Sequence, residues 1–435
     1  MAQPELIPRL FRTEYRKIVS VLCTHFGFGQ MAVAEDIASE TFMAALQTWP
    51  MDGVPPGPVA WLYHVAKNKA RNYLQREAVF TGKVAAEVKR GLALGEALAA
   101  GTGAGAEWEI DLSATNIEDS QLRMMFSVCH PSIPVEAQVG LSLRILCGFG
   151  IEEIADAFLT NKETINKRLY RAREKLREEG ADIFQLNAAG IAERIDAVLT
   201  TIYLLFTEGY YSAPRDGVAP AGDSATEGMR RELCREAIRL CRMLMDNPLT
   251  DMPAANALLA LMCFHASRLD ARVGADGELV LYADQDVSRW DARLISEGAY
   301  YMRRSASGGL LTKYHLEANI AYWHCVKEDS SEKWEAVLQL YNHLLMLEYS
   351  PVAALNRTFA LGKVKGKQAA LEEALKLKLE GNPYYFALLG ELWTGVDDDR
   401  AREAYRRAME LAKTEADREA MRRRYDFLAL PRATL

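Results

Sequence analysis

The sequence predicts an all-α protein built from several helical domains. Apolar residues recur three and four positions apart through most of the 435 residues, which is the spacing of one face of an α-helix. Stretches rich in proline or glycine at 50–58 and 99–106 interrupt this pattern. Near the end, Ala336, Ala370 and Ala404 recur at an equal spacing of about 34 residues, a period typical of stacked helix pairs.

These breaks divide the chain into five predicted parts, and the length allows about two to four globular domains. The predicted parts are a helical domain at 1–80, a linker at 81–118, a second helical domain at 119–180, a helical extension at 181–330 and a repeat domain at 331–435.

Composition limits the classes of function. Apolar residues make up 49% of the chain and the net charge is −7, so any nucleic-acid binding must come from local basic faces. The seven cysteines are scattered and include no CxxC pair, which favours a reducing compartment over a disulfide framework. No signal peptide is expected, and the longest uncharged run, 252–267, is short for a membrane span. We therefore expect a soluble, cytoplasmic protein.

Three helices are predicted in the first domain, at 4–26, 31–48 and 58–77. On the second helix, an acidic strip is expected to be exposed, and its alternative interpretation is simple solvation. The strip consists of Glu35, Asp36 and Glu40, and the apolar side of the same helix includes Val33, Ile37, Phe42, Ala45 and Leu46.

The third helix interleaves basic, amide and aromatic residues. Cations and amides lie on or beside its polar face, with Tyr63, His64 and Tyr73 near them, while Trp61 points inward. Such a face suits single-stranded DNA, because bases stack on rings while cations meet phosphates. The alternative is that the aromatic rings only pack. The polar residues are Lys67, Asn68, Arg71 and Asn72.

Residues 141–177, LSLRILCGFGIEEIADAFLTNKETINKRLYRAREKLR, predict three consecutive helices. The short second helix is followed by a tight corner at 159–161, where Asn161 can cap the third helix. Opposite an apolar stripe, the third helix carries Lys162, Lys167, Arg168, Arg171, Arg173, Lys175 and Arg177. A short helix, a corner and a basic helix favour a helix-turn-helix that reads the DNA major groove. The alternative is a solvated surface helix.

The last 250 residues or so continue with amphipathic helices. Helices are predicted at 191–207, 232–245, 254–269, 290–304 and 313–326. The terminal repeats are tetratricopeptide-like, and the concave face of such a stack commonly binds protein. The alternative is a helical domain with a purely structural role that binds no ligand.

One loop in this part, 274–291, carries several carboxylates, but they miss the spacing of a calcium loop. The carboxylates are Asp276, Glu278, Asp284, Asp286 and Asp291. The Cys and His residues that stand close to one another in the sequence also lack a second pair at the spacing of metal ligands. We expect a solvated loop, no metal and no cofactor. The chain has no nucleophile–base pair or phosphate-cradling loop, so no enzyme is predicted.

Several motifs together resemble the extracytoplasmic-function (ECF) group of sigma factors, in the sigma-70 family. AEDIASETFMAAL, from Ala34, is similar to region 2.2, PVAWLYHVAKNKARNYLQRE to regions 2.3 and 2.4, and 141–177 to region 4.2. They occur in the order and at the spacing of that group. CHPSIPVEAQVGLSLRILCGF, YLLFTEGYYSA, GELVLYADQDVSRWD and the terminal repeats resemble a subgroup with a C-terminal helical-repeat extension.

The resemblance implies a non-enzymatic protein that directs core RNA polymerase to a promoter. The first domain would bind the polymerase β′ coiled coil through Glu35, Asp36, Glu40 and Phe42. It would hold an unpaired −10 base through 50–58 and through Trp61, Lys67, Asn68, Arg71 and Asn72. The second domain would lie on the β flap and read the −35 element, with Asn166, Lys167, Tyr170 and Arg171 toward base edges and Arg168 and Arg173 toward phosphate.

The resemblance also implies that the extension modulates activity, with a regulatory protein as a candidate partner of the repeats and Asp284–Asp291 as a candidate contact to the sigma domains. Two positions depart from the family pattern: Leu159 replaces the usual glycine of the corner, and Asn166 stands where Arg or Lys is common. The rival hypothesis is a helix-turn-helix regulator with a helical-repeat sensor that never binds polymerase. Such a regulator would not need residues 34–46.

Overall fold

The computed structural model of the chain describes residues 3–91, 110–158, 160–179, 186–211, 224–272, 280, 282–412 and 415–429. Within these ranges the chain forms α-helices and short 3-10 helices and no β-strand, which confirms the all-α prediction. The chain divides into two compact units, Met1–Thr201 and Ile202–Leu435.

The first unit is built around α1, which packs against α2, α3 and α4. One side of α1 is buried, with Tyr15, Ile18 and Leu22 almost without exposed surface. The helices are α1 (Gln3–Phe26), α2 (Met31–Asp52), α3 (Pro58–Gly91), α4 (Ala114–Val128), α5 (Val135–Ile145), α6 (Ile151–Ala157), α7 (Lys162–Glu178) and α8 (Ala188–Tyr211), the last of which continues into the second unit.

This arrangement differs from the two tethered domains that the sequence predicted, because α1 contacts both α2 and α4 within one compact unit. Helix α3 also continues to Gly91, into the predicted linker. Its extension has no proline and several strong helix formers, including Ala85, Ala86 and Lys89. The glycine-rich stretch at 99–106 lies outside the described residues.

The predicted boundary at residue 180 also differs from the structure, because the start of α8 packs in the first unit. The Arg194 guanidinium donates to the carbonyl of Phe126 at 3.3 Å, and the Thr201 hydroxyl donates to Gln138 Oε1 at 3.3 Å. Helix α8 therefore fills part of the core beneath α4 and α5 rather than starting a new domain.

The second unit is built around α10, whose residues from Ala255 to Phe264 are all buried. It packs against α9, α11 and α12, and Gly298 of α11 allows a close approach, because a Cβ there would lie 2.7 Å from the Phe264 ring. The helices of this part are α9 (Ser224–Met245), α10 (Pro253–Ala266), α11 (Ala292–Ser305) and α12 (Lys313–Trp323).

The remaining helices stack in sequence, α13 on α14, α14 on α15, α16 on α17 and α17 on α18. The recurring alanines Ala336, Ala370 and Ala404 fall on alternate helices of this stack. The helices are α13 (Ser331–Leu347), α14 (Pro351–Lys365), α15 (Lys367–Leu377), α16 (Pro383–Trp393), α17 (Asp398–Leu411) and α18 (Glu415–Ala429). None of the helices in the described ranges is long and apolar enough to cross a bilayer.

Candidate functional site

Helix α7 is anchored by its cap and by one apolar face. Asn161 Oδ1 accepts a hydrogen bond from the Thr164 amide at 2.8 Å, which satisfies one of the unpaired amides at the helix start. Ile165, Leu169 and Leu176 are buried against the neighbouring helices, and Gly140 of α5 gives Leu169 room to approach. The cap and this stripe fix which face of α7 points to solvent.

The exposed face of α7 brings together four of the predicted base-contacting side chains. Tyr170 is 65% exposed. Within the described part of the chain, Lys167 and Arg171 make no ion pair, whereas Lys162 and Lys175 are held by Glu152 and Glu179. The four exposed side chains are Asn166, Lys167, Tyr170 and Arg171.

The two predicted phosphate contacts lie apart from this face. Arg168 is half-buried with its guanidinium 5.6 Å from the centre of the Phe158 ring. Arg173 turns toward α2, where its NH2 lies 3.0 Å from Glu35 Oε1. Leu159, the departure noted at the corner, lies outside the described residues.

Helix α3 presents a polar face made of exposed side chains one and two turns apart. These are His64, Asn68, Arg71 and Asn72, and Asn68 Nδ2 lies 2.9 Å from His64 Nε2. Lys67 is half-buried beside them.

The aromatic rings of α3 pack instead of facing solvent, as the alternative interpretation holds. Trp61 packs edge-on against Trp49 with ring centres 5.4 Å apart. The Tyr63 hydroxyl donates to Glu14 Oε2 at 2.6 Å, and burial together with this carboxylate raises the pKa of Tyr63. The Tyr73 hydroxyl donates to Gln30 Oε1 at 3.2 Å.

Two of the four candidate polymerase contacts on α2 are not accessible in this structure. Asp36 and Glu40 are exposed as expected, but the Glu35 side chain is only 13% exposed and accepts hydrogen bonds from Arg144 and Arg173. The expectation that Glu35 is exposed is wrong, because α5 and α7 cover that side of α2. Phe42 is buried against Phe11 and Tyr15 of α1, so its ring is inaccessible in this conformation.

Large apolar side chains of α2 are exposed where sequence reasoning placed none. Leu46, assigned to the inward face, is 50% exposed, and Met43 is 53% exposed. Both line a groove of about 770 Å³ between α1, α2 and the turn that joins α5 to α6. Exposed apolar side chains grouped beside acidic ones are typical of a protein-binding surface.

The acidic motif of the second unit has structural partners. Asp286 accepts from the Ser288 amide at 2.9 Å, and Asp291 caps α11 by accepting from the amides of Arg293 and Leu294. Asp284 is exposed, as expected of a solvated loop. Asp276 and Glu278 lie outside the described residues.

Tyr282 ties this motif to the start of the helix stack. Lys327 Nζ donates to the Tyr282 carbonyl at 2.8 Å, and Lys333 Nζ donates to the Tyr282 hydroxyl at 2.9 Å. Arg268 lies over the same ring at 5.5 Å. The Lys333 side chain is buried, and its ammonium group forms no ion pair with the residues that the structure describes.

The cysteines behave as core residues. Six of the seven are buried and Cys325 is half-buried, and all seven are free thiols. Burial raises the pKa of Cys129 to about 12, which keeps the thiol protonated and unreactive at neutral pH.

Comparisons with known proteins match part of the first unit to a family model. Residues 10–79, which include most of α1, all of α2 and much of α3, match the family model for sigma-70 region 2. The chain therefore contains a sigma-70 region 2 domain. It is also 26% identical over 144 residues to the ECF RNA polymerase sigma-E factor of Haemophilus influenzae, covering 32% of this chain and 71% of that protein.

The similarity to one relative covers nearly the whole length of the chain. An uncharacterized protein of Rhizobium meliloti is 32% identical over 412 residues, which is 94% of this chain and 93% of the relative. Residues 194–306 match a family of unknown function, DUF6596. The second unit is therefore shared with that relative. No solved structure matched the chain.

Proposed function

We propose that the protein is a sigma factor that binds core RNA polymerase and directs promoter-specific initiation of transcription. The observation that carries the proposal is the region 2 match over 10–79, in the same compact unit as a capped helix with an exposed basic face. Sigma factors perform no covalent chemistry, so the protein acts by binding and positioning.

Helix α7 is proposed to read the −35 element as the second helix of a helix-turn-helix. Its exposed Lys167 and Arg171 form no ion pair with the described residues, and Arg171 has the planar donor geometry that recognises guanine. Asn166 and Tyr170 lie one turn apart on the same face. Arg168 and Arg173 are proposed phosphate contacts that become available when their internal partners release them.

Helix α3 and the preceding loop 50–58 are proposed to hold the displaced −10 strand. The exposed Asn68, Arg71 and Asn72 offer amide and guanidinium donors to an unpaired base and its phosphate. Trp61 and Lys67 are half-buried, so they contribute from the edge of this surface.

Helix α2 is proposed to bind the polymerase β′ coiled coil, as the resemblance implies. Asp36 and Glu40 supply exposed carboxylates, and Met43 and Leu46 supply the neighbouring apolar surface. Glu35 joins this surface once its two arginine partners release it, and the buried Phe42 packs beneath the surface. Region 4 is proposed to lie on the β flap.

The second unit is proposed to be a helical-repeat extension that regulates initiation and binds a regulatory protein. Met346, Tyr349 and Val352 are exposed where α13 turns into α14. A protein that ends at Tyr211, the end of α8, is expected to differ from the full chain in run-off transcription. Equal output would make the second unit dispensable for initiation.

A pull-down of purified core RNA polymerase tests the proposal against the rival regulator. The full chain is expected to retain core, and a variant with Asp36→Lys and Glu40→Lys is expected to lose most of it. Asp426→Lys, an exposed acid on α18, is the control for charge reversal. No retention by the unsubstituted chain would favour the regulator that never binds polymerase.

A further inference from the structure

One carboxylate in the first unit accepts hydrogen bonds from two guanidinium groups on two other helices. Glu35 Oε1 on α2 lies 3.2 Å from Arg144 Nε on α5 and 3.0 Å from Arg173 NH2 on α7. The Arg144 and Arg173 side chains are 24% and 28% exposed. Hydrogen bonds between ionised groups that are partly shielded from water are stronger than those of a surface pair.

This cluster joins the two surfaces that the proposed function needs. Glu35 lies beside Asp36 on the proposed polymerase-binding helix, and Arg173 lies on the proposed DNA-reading helix. While the cluster is intact, the Glu35 side chain is only 13% exposed, so polymerase has little access to its carboxylate. Arg173 is likewise held back from DNA phosphate.

The groove beside the cluster indicates that this side of α2 is incompletely covered. Met43 and Leu46 of α2 line it on one side, and Gly148 and Gly150 of the α5–α6 turn line it on the other, with Arg144 at its edge. Apolar surfaces that leave such a space between them lose part of their dispersion contact. Beside the packing of α1 on α4 and α5, Arg144 and Arg173 are therefore the side chains that tie α5 and α7 to α2.

We propose that Glu35, Arg144 and Arg173 form a latch that keeps the free protein closed. In this account, which rests on the proposed function, core polymerase competes for Glu35 and thereby releases Arg173 for promoter DNA. Because binding free energies are coupled reciprocally, promoter DNA that engages Arg173 also favours binding of polymerase. The latch links the two binding events through a single carboxylate.

Intramolecular energy transfer in the free full-length protein tests the latch without polymerase. Fluorophores on Gln75→Cys of α3 and Glu178→Cys of α7 report their separation, since both positions are exposed and most native thiols are buried. Arg144→Met is expected to lower the transfer efficiency. Arg123→Met is the matched control, because Arg123 is 30% exposed and pairs with Asp119 of its own helix.

Arg144→Lys tests whether the effect of Arg144→Met comes only from a folding defect. It keeps the positive charge but cannot donate to both Glu35 and the Phe149 carbonyl as the guanidinium does, so an intermediate transfer efficiency is expected. Circular dichroism checks that helix content is unchanged. Equal transfer in the unsubstituted, Arg144→Met, Arg144→Lys and Arg123→Met proteins would overturn the latch.

Affinity for core polymerase tests the competition. Since the apparent dissociation constant equals the intrinsic one divided by the open fraction, Arg144→Met is expected to bind core about three- to tenfold more tightly. If no variant binds core, the proposed function fails while the energy-transfer result still decides whether the closed state exists. If the unsubstituted chain and Arg144→Met bind core equally, the sigma function stands and the competition is refuted.

Discussion

Individual cations on α7 differ in whether a carboxylate already holds them. Lys162 and Lys175 lie 2.6 Å and 2.7 Å from the carboxylates of Glu152 and Glu179, and these partners raise the pKa of both ammonium groups. Lys167 and Arg171 make no such pair among the described residues. A cation without an internal partner gives its full charge to DNA, so residues of the same type on one helix should differ in their contribution to binding.

Substitution of Arg171 tests this difference. Arg171→Ala is expected to weaken binding of the polymerase complex to promoter DNA by about 1–3 kcal/mol, because a bidentate contact to a base is lost. Lys175→Ala is expected to cost much less, since Glu179 already neutralises that ammonium group. Electrophoretic mobility shifts at fixed salt measure both, and equal losses would contradict the assignment of Arg171 to base contact.

A half-buried histidine in the second unit, His324, makes stability depend on pH. Burial, with Arg268 and Lys333 nearby, lowers the pKa of His324 to about 3, whereas an unfolded histidine titrates near its ordinary value of about 6.5. Between these two pKa values, the unfolded chain therefore binds a proton at His324 that the folded chain does not bind. Stability is expected to fall as pH drops from about 6.5 toward 3, by up to about 1.4 kcal/mol per pH unit for this histidine.

Urea unfolding at pH 7.5 and pH 5.5 measures the effect. His324→Gln removes one titrating group, so its free energy of unfolding should change less between the two pH values than that of the unsubstituted protein. An unchanged pH dependence in His324→Gln would contradict the account.

At the scale of helices, periodicity predicted where helices form and which face is apolar. The stripe of Ile165, Leu169 and Leu176 on α7 is buried as expected. Periodicity failed on α2, where Glu35 is covered and Leu46 is half-exposed. The amphipathic pattern of one helix carries no information about which distant helix covers its polar side, and Arg173 is 138 positions from Glu35.

The packing of α11 on α10 depends on a small residue, Gly298. A Cβ at Gly298 of α11 would lie 2.7 Å from the Phe264 ring of α10, so Gly298→Ala should destabilise the protein by about 1–3 kcal/mol despite the better helix propensity of alanine. Gly309→Ala is the control, because nothing lies within 4 Å of its Cβ position. Equal thermal midpoints for the two variants would show that the ring moves aside at no cost.

At the scale of the whole molecule, sequence motifs predicted the sigma-70 region 2 domain but not how the helices are grouped. The chain forms two compact units divided after Thr201, whereas composition suggested separate domains at 1–80 and 119–180. The contacts of α1 with α4, and of α8 with α4 and α5, are long-range, and no local signal marks them. The proposed contacts to polymerase and promoter all belong to the first unit.

Run-off transcription with purified core RNA polymerase tests the central claim most directly. The full chain first selects promoter fragments from a random DNA library in the presence of core, and the selected fragments then serve as templates. The sigma-factor account predicts discrete transcripts only when core and chain are both present, and their loss with Asp36→Lys and Glu40→Lys. Transcripts that do not depend on the chain, or binding of the chain to DNA without any initiation, would contradict it.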